Sequence, residues 1–284
     1  RASQLGAKVV CAEKRWLGGV CLNEGCVPTK ALLRSADVFA LVKEAQTYGV
    51  MVNPPTLDWT RAQSRKQQVV EQLRSGLAML LDRAGVQVVE GEASFVRPNT
   101  LSLRTPHGQE TVVAEDVIIA TGSRTLEAPI PGLEGPRVID YSGALALESL
   151  PESMCIIGGG SVGLEFATLF NTFGVEITLV EMLPRLAPQM DTAIGEGLAW
   201  SLSSRGVRVL TNTRVTGASS TGPGCVLSIA NPQGEQQIEA DLALLATGHV
   251  ANVERLGLET LGIRPTRGGI QVDSHMRTAV PHLY

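Results

Sequence analysis

The sequence lacks the features that mark several classes of protein. No apolar run reaches the roughly 18 residues that a membrane-spanning helix needs. The formal net charge is −4, so there is no excess of positive charge for binding a nucleic acid or an anionic membrane. Five cysteines in 284 residues do not resemble the disulfide framework of a small secreted domain. These absences favour a globular protein of a reducing compartment, either the cytoplasm or the mitochondrial matrix. The length of 284 residues is more than one typical core contains, so we expect two domains.

Two of the cysteines stand close together in the stretch LGGVCLNEGCVPTK, residues 17–30. Cys21 and Cys26 precede Pro28, a residue that is tolerated in the first turn of a helix. We expect both thiols at or just before a helix start, where unpaired N–H groups and the helix dipole favour a thiolate. The thiolate is the form that attacks a disulfide, so the pattern predicts a redox-active dithiol. Two alternatives are unrelated core cysteines and half of a zinc site, although the sequence has no second Cys or His pair with ligand spacing.

The rest of the chain predicts an α/β protein. Apolar periodicity predicts helices over residues 29–47 and 58–84, strand-like segments over 86–113 and a buried strand over 116–120. Cys11, Cys155 and Cys225 fall in strand-like runs, where they are expected to be small core residues.

An internal repeat indicates two nucleotide-binding units. GAKVVCAE at residues 6–13 matches GVEITLVE at 174–181, and DVIIATG at 116–122 matches DLALLATG at 241–248. The distance between these motifs is longer in the first copy, by about the size of the cysteine loop and its helix. We therefore predict that the dithiol is an insertion in the first unit. The predicted domains are residues 1–145 and 146–267, with residues 268–284 returning to the first.

The strongest phosphate-binding signal is MCIIGGGSVG, residues 154–163, where a G-x-G-x-x-G pattern follows an apolar strand and opens a helix. Gly158 is expected to form the tight turn, Gly160 to let the backbone approach a pyrophosphate and Gly163 to allow close helix packing. Glu181 ends the next strand, where an acid binds the adenosine ribose hydroxyls and disfavours a 2′-phosphate. The pattern therefore predicts NAD rather than NADP. The alternative is a glycine-rich turn beside an incidental surface acid.

Glu13, Lys30 and Glu165 are further candidate site residues because of their positions in the chain. By the repeat, Glu13 should bind the ribose of a second dinucleotide, whose glycine fingerprint we expect before Arg1; the alternative is a solvated strand-end acid. Lys30 lies one turn past Cys26, and Glu165 lies in the first turns of the helix after the glycine loop. Each could be a solvated charge, and an acid near a helix N-terminus is also favoured by the dipole.

Several motifs together resemble those of one family: GGVCLNEGCVPTK, ATGSR at 120–124, GGGSVGLE at 158–165, VEMLPRLAPQMD at 180–191 and the closing MRTAVPHLY. The chain resembles the class I flavin-containing pyridine nucleotide–disulfide oxidoreductases, most closely the branch that oxidises dihydrolipoamide. The resemblance implies two Rossmann-like domains, with an NAD domain inserted in an FAD domain. It also implies that electrons pass from dihydrolipoamide through the Cys21–Cys26 disulfide and FAD to NAD.

The resemblance assigns roles by position. Cys21 would exchange with the substrate disulfide or dithiol, and Cys26 would face the flavin. Lys30 would lie beside the flavin and pair with Glu165 across the domain junction. The FAD contacts implied are Glu13, Gly18, Gly19, Val20, Lys30, Ala93, Thr121, Gly122 and Ser123. The NAD contacts implied are Gly158, Gly159, Gly160, Ser161, Val162, Gly163, Glu165, Glu181, Val215 and Gly248. No metal site is implied.

The resemblance also implies partners and parts that we expect outside this chain. The substrate would be the lipoyl group of a 2-oxoacid dehydrogenase or glycine cleavage complex. A homodimer would supply a His–Glu base from a C-terminal interface domain, which we expect beyond Tyr284 together with a Gly-Asp that binds FAD. The family's Gly-Arg-x-Pro-Asn becomes Gly-His-Val-Ala-Asn at residues 248–252. The alternatives are a sister NAD(P)H-dependent disulfide or mercuric reductase, and a non-catalytic NAD-binding fragment.

Overall fold

The computed structural model describes residues 1–220, 222–266 and 268–284. The α-helices are α1 (Gly19–Asn23), α2 (Cys26–Lys43), α3 (Trp59–Arg83), α4 (Tyr141–Leu145), α5 (Ser161–Thr172) and α6 (Thr192–Ser204). Short 3-10 helices span Ser3–Leu5, Ala45–Tyr48 and Leu258–Leu261. The strands are β1 (Val10–Glu13), β2 (Gln87–Glu90), β3 (Glu92–Arg97), β4 (Thr100–Thr105), β5 (Gly108–Val113), β6 (Ser123–Thr125), β7 (Val138–Ile139), β8 (Ser153–Ile157), β9 (Glu176–Val180), β10 (Arg208–Leu210), β11 (Arg214–Ser219), β12 (Cys225–Asn231), β13 (Gly234–Ala240), β14 (Leu242–Leu245) and β15 (His249–Ala251).

The described residues form two compact units, each built from separate stretches of chain. The first unit comprises Arg1–Asn23, Glu71–Arg124 and His249–Tyr284, and the second comprises Glu24–Val70 and Thr125–Gly248. The chain thus passes between the units near residues 23, 70, 124 and 248. The dithiol helix α2 also joins the second unit, because it packs against α5.

The second unit contains a parallel sheet with the strand order β10-β9-β8-β14-β7. Strands β8 and β14 are almost wholly buried, as expected for the centre of a sheet covered on both faces. In parallel strands the carboxyl ends share one edge, and ligands bind outside that edge. The α/β fold class predicted from the sequence is therefore confirmed.

An antiparallel sheet of order β11-β12-β13 completes the core of the second unit. The inward positions of β12 are Cys225, Leu227 and Ile229, and they belong to one hydrophobic cluster with Cys155 of β8. Residues with period-2 burial in β12 thus provide the apolar face on which the two sheets meet.

Helix α5 has the termini that its sequence predicts. It begins after Gly160 and ends before Gly174, which has a left-handed φ of 92°. The N–H groups of Gly174 and Val175 donate to Asn171 and Phe170, respectively, in the pattern of a Schellman motif. This ending lets the chain reverse directly into β9.

The first unit contains the parallel pair β1-β2 and the antiparallel sheet β3-β4-β5. Its apolar cluster is built around Phe95, Leu258, Ile263 and Leu283. Within the described ranges, none of the helices in either unit has both the length and the apolar character needed to cross a membrane.

The prediction of a buried strand over residues 116–120 is wrong. Val117 forms only an isolated parallel bridge to Leu283, and Ile118 is 71% exposed. The backbone of this segment bonds to residues 282–284, with Ile119 N–H donating to Tyr284 O over 2.7 Å. Its counterpart in the repeat, β14, lies between two strands and is buried. The apolar run at residues 116–120 is typical of an extended segment, but it does not predict whether neighbouring strands cover that segment.

Candidate functional site

The segment before Cys21 is a tight turn that depends on glycine. Gly18 and Gly19 have left-handed φ values of 97° and 60°, and Gly19 N–H donates to Trp16 O over 3.3 Å. A Cβ on Gly18 would lie 2.6 Å from the side chain of Leu22. This turn starts helix α1, in which Cys21 is exposed. Cys21 thus occupies a separate short helix that the sequence analysis did not predict.

The second thiol begins the long helix that the sequence predicts. Cys26 is the first residue of α2, directly after the N-cap Gly25, and it is exposed. The early N–H groups of a helix have no intrahelical acceptor and favour a nearby anion. Both Cys21 and Cys26 are therefore accessible for thiol–disulfide exchange.

Lys30 and Glu165 form an ion pair, as the resemblance implies. Lys30 Nζ lies 2.6 Å from Glu165 Oε1. Both residues belong to the second unit, which differs from the expected pairing across a domain junction. The side chains are 57% and 33% exposed, so water screens the pair and its contribution to stability is at most about 1 kcal/mol. Its main effect is to fix the Lys30 ammonium one turn after Cys26.

The glycine fingerprint forms a loop between β8 and α5 in which side chains are excluded. Gly158 has a φ of 117°, and a Cβ there would lie 2.3 Å from Ala246 O. A Cβ on Gly163 would lie 1.9 Å from Gly158 O. By contrast, a Cβ on Gly160 meets no atom of the described residues within 4 Å. The loop is thus closed against β14 on one side and open at Gly160, where the sequence predicts the pyrophosphate.

Glu181 is buried and hydrogen-bonded to the glycine loop, whereas an incidental acid at a strand end would lie in solvent. It is 7% exposed, and its carboxylate accepts from two backbone N–H groups. Oε2 accepts from Gly159 over 2.7 Å and Oε1 accepts from Leu183 over 2.8 Å. A carboxylate has about four acceptor positions, so each oxygen retains capacity for a ribose hydroxyl. These bonds set the orientation of Glu181 before any ligand arrives.

The remaining residues predicted on the NAD side lie in the same unit. Ser161 and Val162 open α5. Val215 is buried in β11, opposite Ile229 of β12, so only its backbone can face a ligand. Gly248 follows β14 and has a φ of 105°.

The residues predicted on the FAD side lie mostly in the first unit. Glu13 ends β1 and is half-buried, with Oε1 accepting from Arg15 N–H over 2.8 Å. Val20 lies in α1 and Ala93 in β3. Gly19 and Gly122 both have open space where a Cβ would be, so their backbones are accessible to a ligand.

The segment from Thr121 to Ser123 is held by a residue that the sequence analysis did not select. Asn252 N–H donates to Gly122 O over 2.9 Å, and its Nδ2 donates to Thr121 O over 3.1 Å. The Thr121 hydroxyl donates to Asn252 O over 2.6 Å. Asn252, the last residue of the altered Gly-His-Val-Ala-Asn motif, therefore holds Thr121 and Gly122 in place. This motif is the only sequence signal that points to Asn252.

An ion pair extends this network. Arg124 Nη2 lies 2.9 Å from Glu254 Oε1, and Arg124 Nη1 lies 3.0 Å from Oε2, which is a bidentate arrangement. The hydrogen bond from Arg124 lowers the pKa of Glu254 below its ordinary value. Glu254 is thus engaged by Arg124.

The other cysteines are not suited to exchange chemistry. Burial raises the pKa of Cys155 to about 12, with a further contribution from nearby Cys225. Burial also raises the pKa of Cys225 and of Cys11, with Glu13 contributing at Cys11. These thiols remain protonated at neutral pH and are poor nucleophiles. In the part of the chain that the structure describes, no group of three or more His, Cys, Asp or Glu side chains could hold a metal ion.

Comparison with known proteins assigns the chain to a family. The family model for pyridine nucleotide-disulphide oxidoreductases matches residues 1–284. The chain is 38% identical to dihydrolipoyl dehydrogenase of Bacillus subtilis over 285 residues, which is all of this chain and 62% of that protein. It is 37% identical to dihydrolipoyl dehydrogenase of Acholeplasma laidlawii over 289 residues, which is 83% of that protein.

Solved structures agree with this assignment. The HOCl-induced flavoprotein disulfide reductase RclA from Escherichia coli, in its Cu(II) complex, gives a TM-score of 0.85 at 29% identity. That match covers 99% of this chain and 60% of the RclA chain. The resemblance inferred from the motifs is confirmed: the chain belongs to the pyridine nucleotide-disulphide oxidoreductase family.

Proposed function

We propose that this chain carries the dithiol and the nucleotide-binding parts of a flavoprotein that oxidises dihydrolipoamide and reduces NAD. The observation that carries the proposal is the pair of exposed thiols, Cys21 in α1 and Cys26 at the start of α2, five positions apart. Several relatives at 36–38% identity are dihydrolipoyl dehydrogenases, which supports this substrate over other dithiols.

The proposed exchange starts from a Cys21–Cys26 disulfide. A substrate thiolate attacks the Cys21 sulfur, the Cys21–Cys26 bond breaks, and its electron pair leaves on Cys26 as a thiolate. The second substrate thiolate then attacks the substrate sulfur of the mixed disulfide. The lipoamide ring closes and Cys21 leaves as a thiolate. The substrate has lost two electrons and two protons, and the protein holds the dithiol.

The Lys30 ammonium, paired with Glu165 one turn along α2, adds a positive charge on the same helix as Cys26.

The residues of the chain fit the cofactors FAD and NAD. FAD, when bound, relays the two electrons from the dithiol to NAD. The open backbone at Gly160 and the N–H groups that start α5 suit a pyrophosphate, and Glu181, oriented by Gly159 N–H, is suited to accept from the adenosine ribose hydroxyls. In the first unit, Glu13 ends β1, which suits a role toward the FAD ribose, and Gly122 has the open backbone that close approach needs.

The proposed substrate is the lipoyl group of a 2-oxoacid dehydrogenase or glycine cleavage complex, in the cytoplasm or the mitochondrial matrix. The proposal includes a homodimer, since the base that serves the thiols in this family comes from a partner subunit. The chain spans 62% of the length of its Bacillus subtilis relative, so turnover is to be measured on the complete protein.

A substrate panel tests the proposal. The complete protein is assayed for NADH formation with dihydrolipoamide, and for NADH or NADPH oxidation with lipoamide, glutathione disulfide and Hg(II). Activity with dihydrolipoamide and NAD supports the proposal. Activity confined to another acceptor identifies a sister reductase, as the likeness to a flavoprotein disulfide reductase would favour. NAD binding without any turnover identifies a non-catalytic binding protein, and either result overturns the proposal.

A further inference from the structure

Trp16, which precedes the glycine turn of the dithiol segment, carries two cationic side chains. The guanidinium carbons of Arg15 and Arg74 lie over its indole ring at 4.4 and 5.1 Å from the centroid. Arginine over a tryptophan face is an attractive arrangement, worth about 0.5–1 kcal/mol at an exposed site. Trp16 is 40% exposed, so this is a surface platform rather than a core contact.

Arg74 connects the platform to helix α1. Its Nε donates to Asn23 Oδ1 over 2.8 Å. Asn23 Nδ2 in turn donates to Leu17 O over 3.0 Å and to Gly19 O over 2.8 Å. The contacts therefore run from Trp16 through Arg74 and Asn23 back to Leu17, the residue directly after Trp16. The amide of Asn23 uses both its oxygen and its nitrogen in this ring of contacts.

Helix α1 depends on such contacts for its shape. It has five residues, and an isolated helix of that length is not stable in water. The glycine pair that precedes it is conformationally free in the unfolded chain, so its left-handed conformation must be selected by neighbours. Arg74 comes from α3, a helix of 25 residues, and supplies a rigid point of attachment.

We propose that Trp16 and Arg74 are positioning residues that hold α1 and thereby place Cys21 for disulfide exchange. The inference rests on the proposed function, in which Cys21 and Cys26 form a disulfide. A segment that is already ordered loses less conformational entropy when the disulfide closes. Loosening α1 should therefore shift the equilibrium from the disulfide towards the dithiol.

The equilibrium is measured by thiol trapping in dithiothreitol redox buffers, with Cys21 and Cys26 quantified by peptide mass spectrometry. As the disulfide forms, each Cys loses one proton and one electron. The ring of oxidised dithiothreitol opens and takes up these two protons and two electrons. Trp16→Ala should lower the equilibrium constant for oxidation by about two- to fivefold, which is the cation–π energy expressed as a ratio. Arg74→Ala also removes the bond to Asn23 and should lower it by about tenfold.

Three further variants separate positioning from a general effect. Trp16→Phe retains an aromatic face and should restore most of the wild-type value. The double variant should resemble Arg74→Ala alone, because both residues act through one chain of contacts. Trp200→Ala, which removes a 75% exposed tryptophan from α6, should leave the equilibrium unchanged. Equal values for Trp16→Ala and Trp200→Ala, or a shift towards the disulfide, would overturn the inference.

Hydrogen exchange distinguishes failure of this inference from failure of the proposed function. If wild-type Cys21 and Cys26 form no disulfide in any buffer, the proposed function fails. The amides of residues 19–23 should still exchange faster in Arg74→Ala than in wild type, while those of α5 stay unchanged as a control for folding. Unchanged exchange in residues 19–23 would show that Arg74 does not hold α1.

Discussion

The close approach of α5 to β8 can be tested by adding one methyl group at Gly163. A Cβ there would lie 1.9 Å from Gly158 O, whereas carbon and oxygen atoms in contact are normally about 3.3–3.6 Å apart. The obstructing atom belongs to the backbone and cannot rotate away. Helix α5 and the glycine loop must therefore separate by more than about 1 Å.

The expected cost of Gly163→Ala follows from two opposing terms. Overpacking costs about 1–3 kcal/mol or more, while alanine in a helix is favoured over glycine by about 1 kcal/mol. Because the clash is with a backbone atom, the upper end of the overpacking range applies, and the net loss of unfolding free energy should be about 2 kcal/mol. This loss lowers Tm by about 4–8 °C for a chain of this size. Displacement of the loop should weaken its backbone contacts with the pyrophosphate. Loss of one hydrogen bond to a charged group, about 1.5–3 kcal/mol, lowers NAD affinity by about tenfold or more.

Gly197 provides the matched control. It lies in α6, and a Cβ there meets no atom of the described residues within 4 Å. Gly197→Ala should raise the unfolding free energy by about 0.5–1 kcal/mol and leave NAD affinity unchanged. Both variants are compared by thermal unfolding and by calorimetric titration with NAD. If Gly163→Ala is as stable as Gly197→Ala and binds NAD equally well, the packing argument for the nucleotide loop is refuted.

Three other predictions concern single groups. Ala187 has a left-handed φ of 44°, so Ala187→Gly should raise the unfolding free energy by about 0.5–1 kcal/mol in urea titrations, and a loss would show that no strain is present. Lys30→Met should change that free energy by less than about 1 kcal/mol, because the pair with Glu165 is exposed; a larger loss would contradict solvent screening. Since folding raises the pKa of Cys155 from 9.0 to about 12, its contribution to stability should be complete below pH 9 and lost as the pH rises towards 12. Iodoacetamide at pH 8 should accordingly modify Cys21 well before Cys155, as peptide mass spectrometry would show, and equal rates would contradict the burial of Cys155.

The local features that the sequence predicts correctly are those with strong steric or capping requirements. Pro28 and the apolar periodicity after it predict α2, which begins at Cys26, three residues before the predicted start at residue 29. The spacing of Gly158 and Gly163 predicts a loop in which a Cβ cannot fit, and the structure has that loop. These predictions succeed because each of these two residue patterns is compatible with one local backbone geometry.

Features that depend on distant partners were not predictable in the same way. The apolar run containing Ile118 is typical of a buried strand, yet burial depends on which strands pair with it. The backbone bonds that orient Glu181 come from Gly159 and Leu183, and no residue pattern indicates them. Asn252 ends the altered motif of residues 248–252, but its bonds to Thr121 and Gly122 depend on the tertiary structure.

The boundaries of the two compact units also depend on distant contacts that the sequence pattern does not indicate. The repeat predicts two similar domains, but the chain exchanges between compact units near residues 23 and 70 as well as 124 and 248. Helix α2 joins the second unit through packing on α5 and through an edge-to-face contact of Phe39 with Phe173, the residue that follows α5, at 5.8 Å. Linear spacing places the dithiol insertion in the first repeat but does not reveal which unit its helix packs against.

The most direct test of the proposed function is the rate of NADH formation from dihydrolipoamide by the complete protein and its Cys21→Ser and Cys26→Ser variants. The proposal predicts turnover in the wild-type protein and its loss in both variants, with NAD affinity unchanged because the nucleotide loop is intact. Retention of dihydrolipoamide oxidation by Cys26→Ser would contradict the role of the Cys21–Cys26 pair in electron transfer.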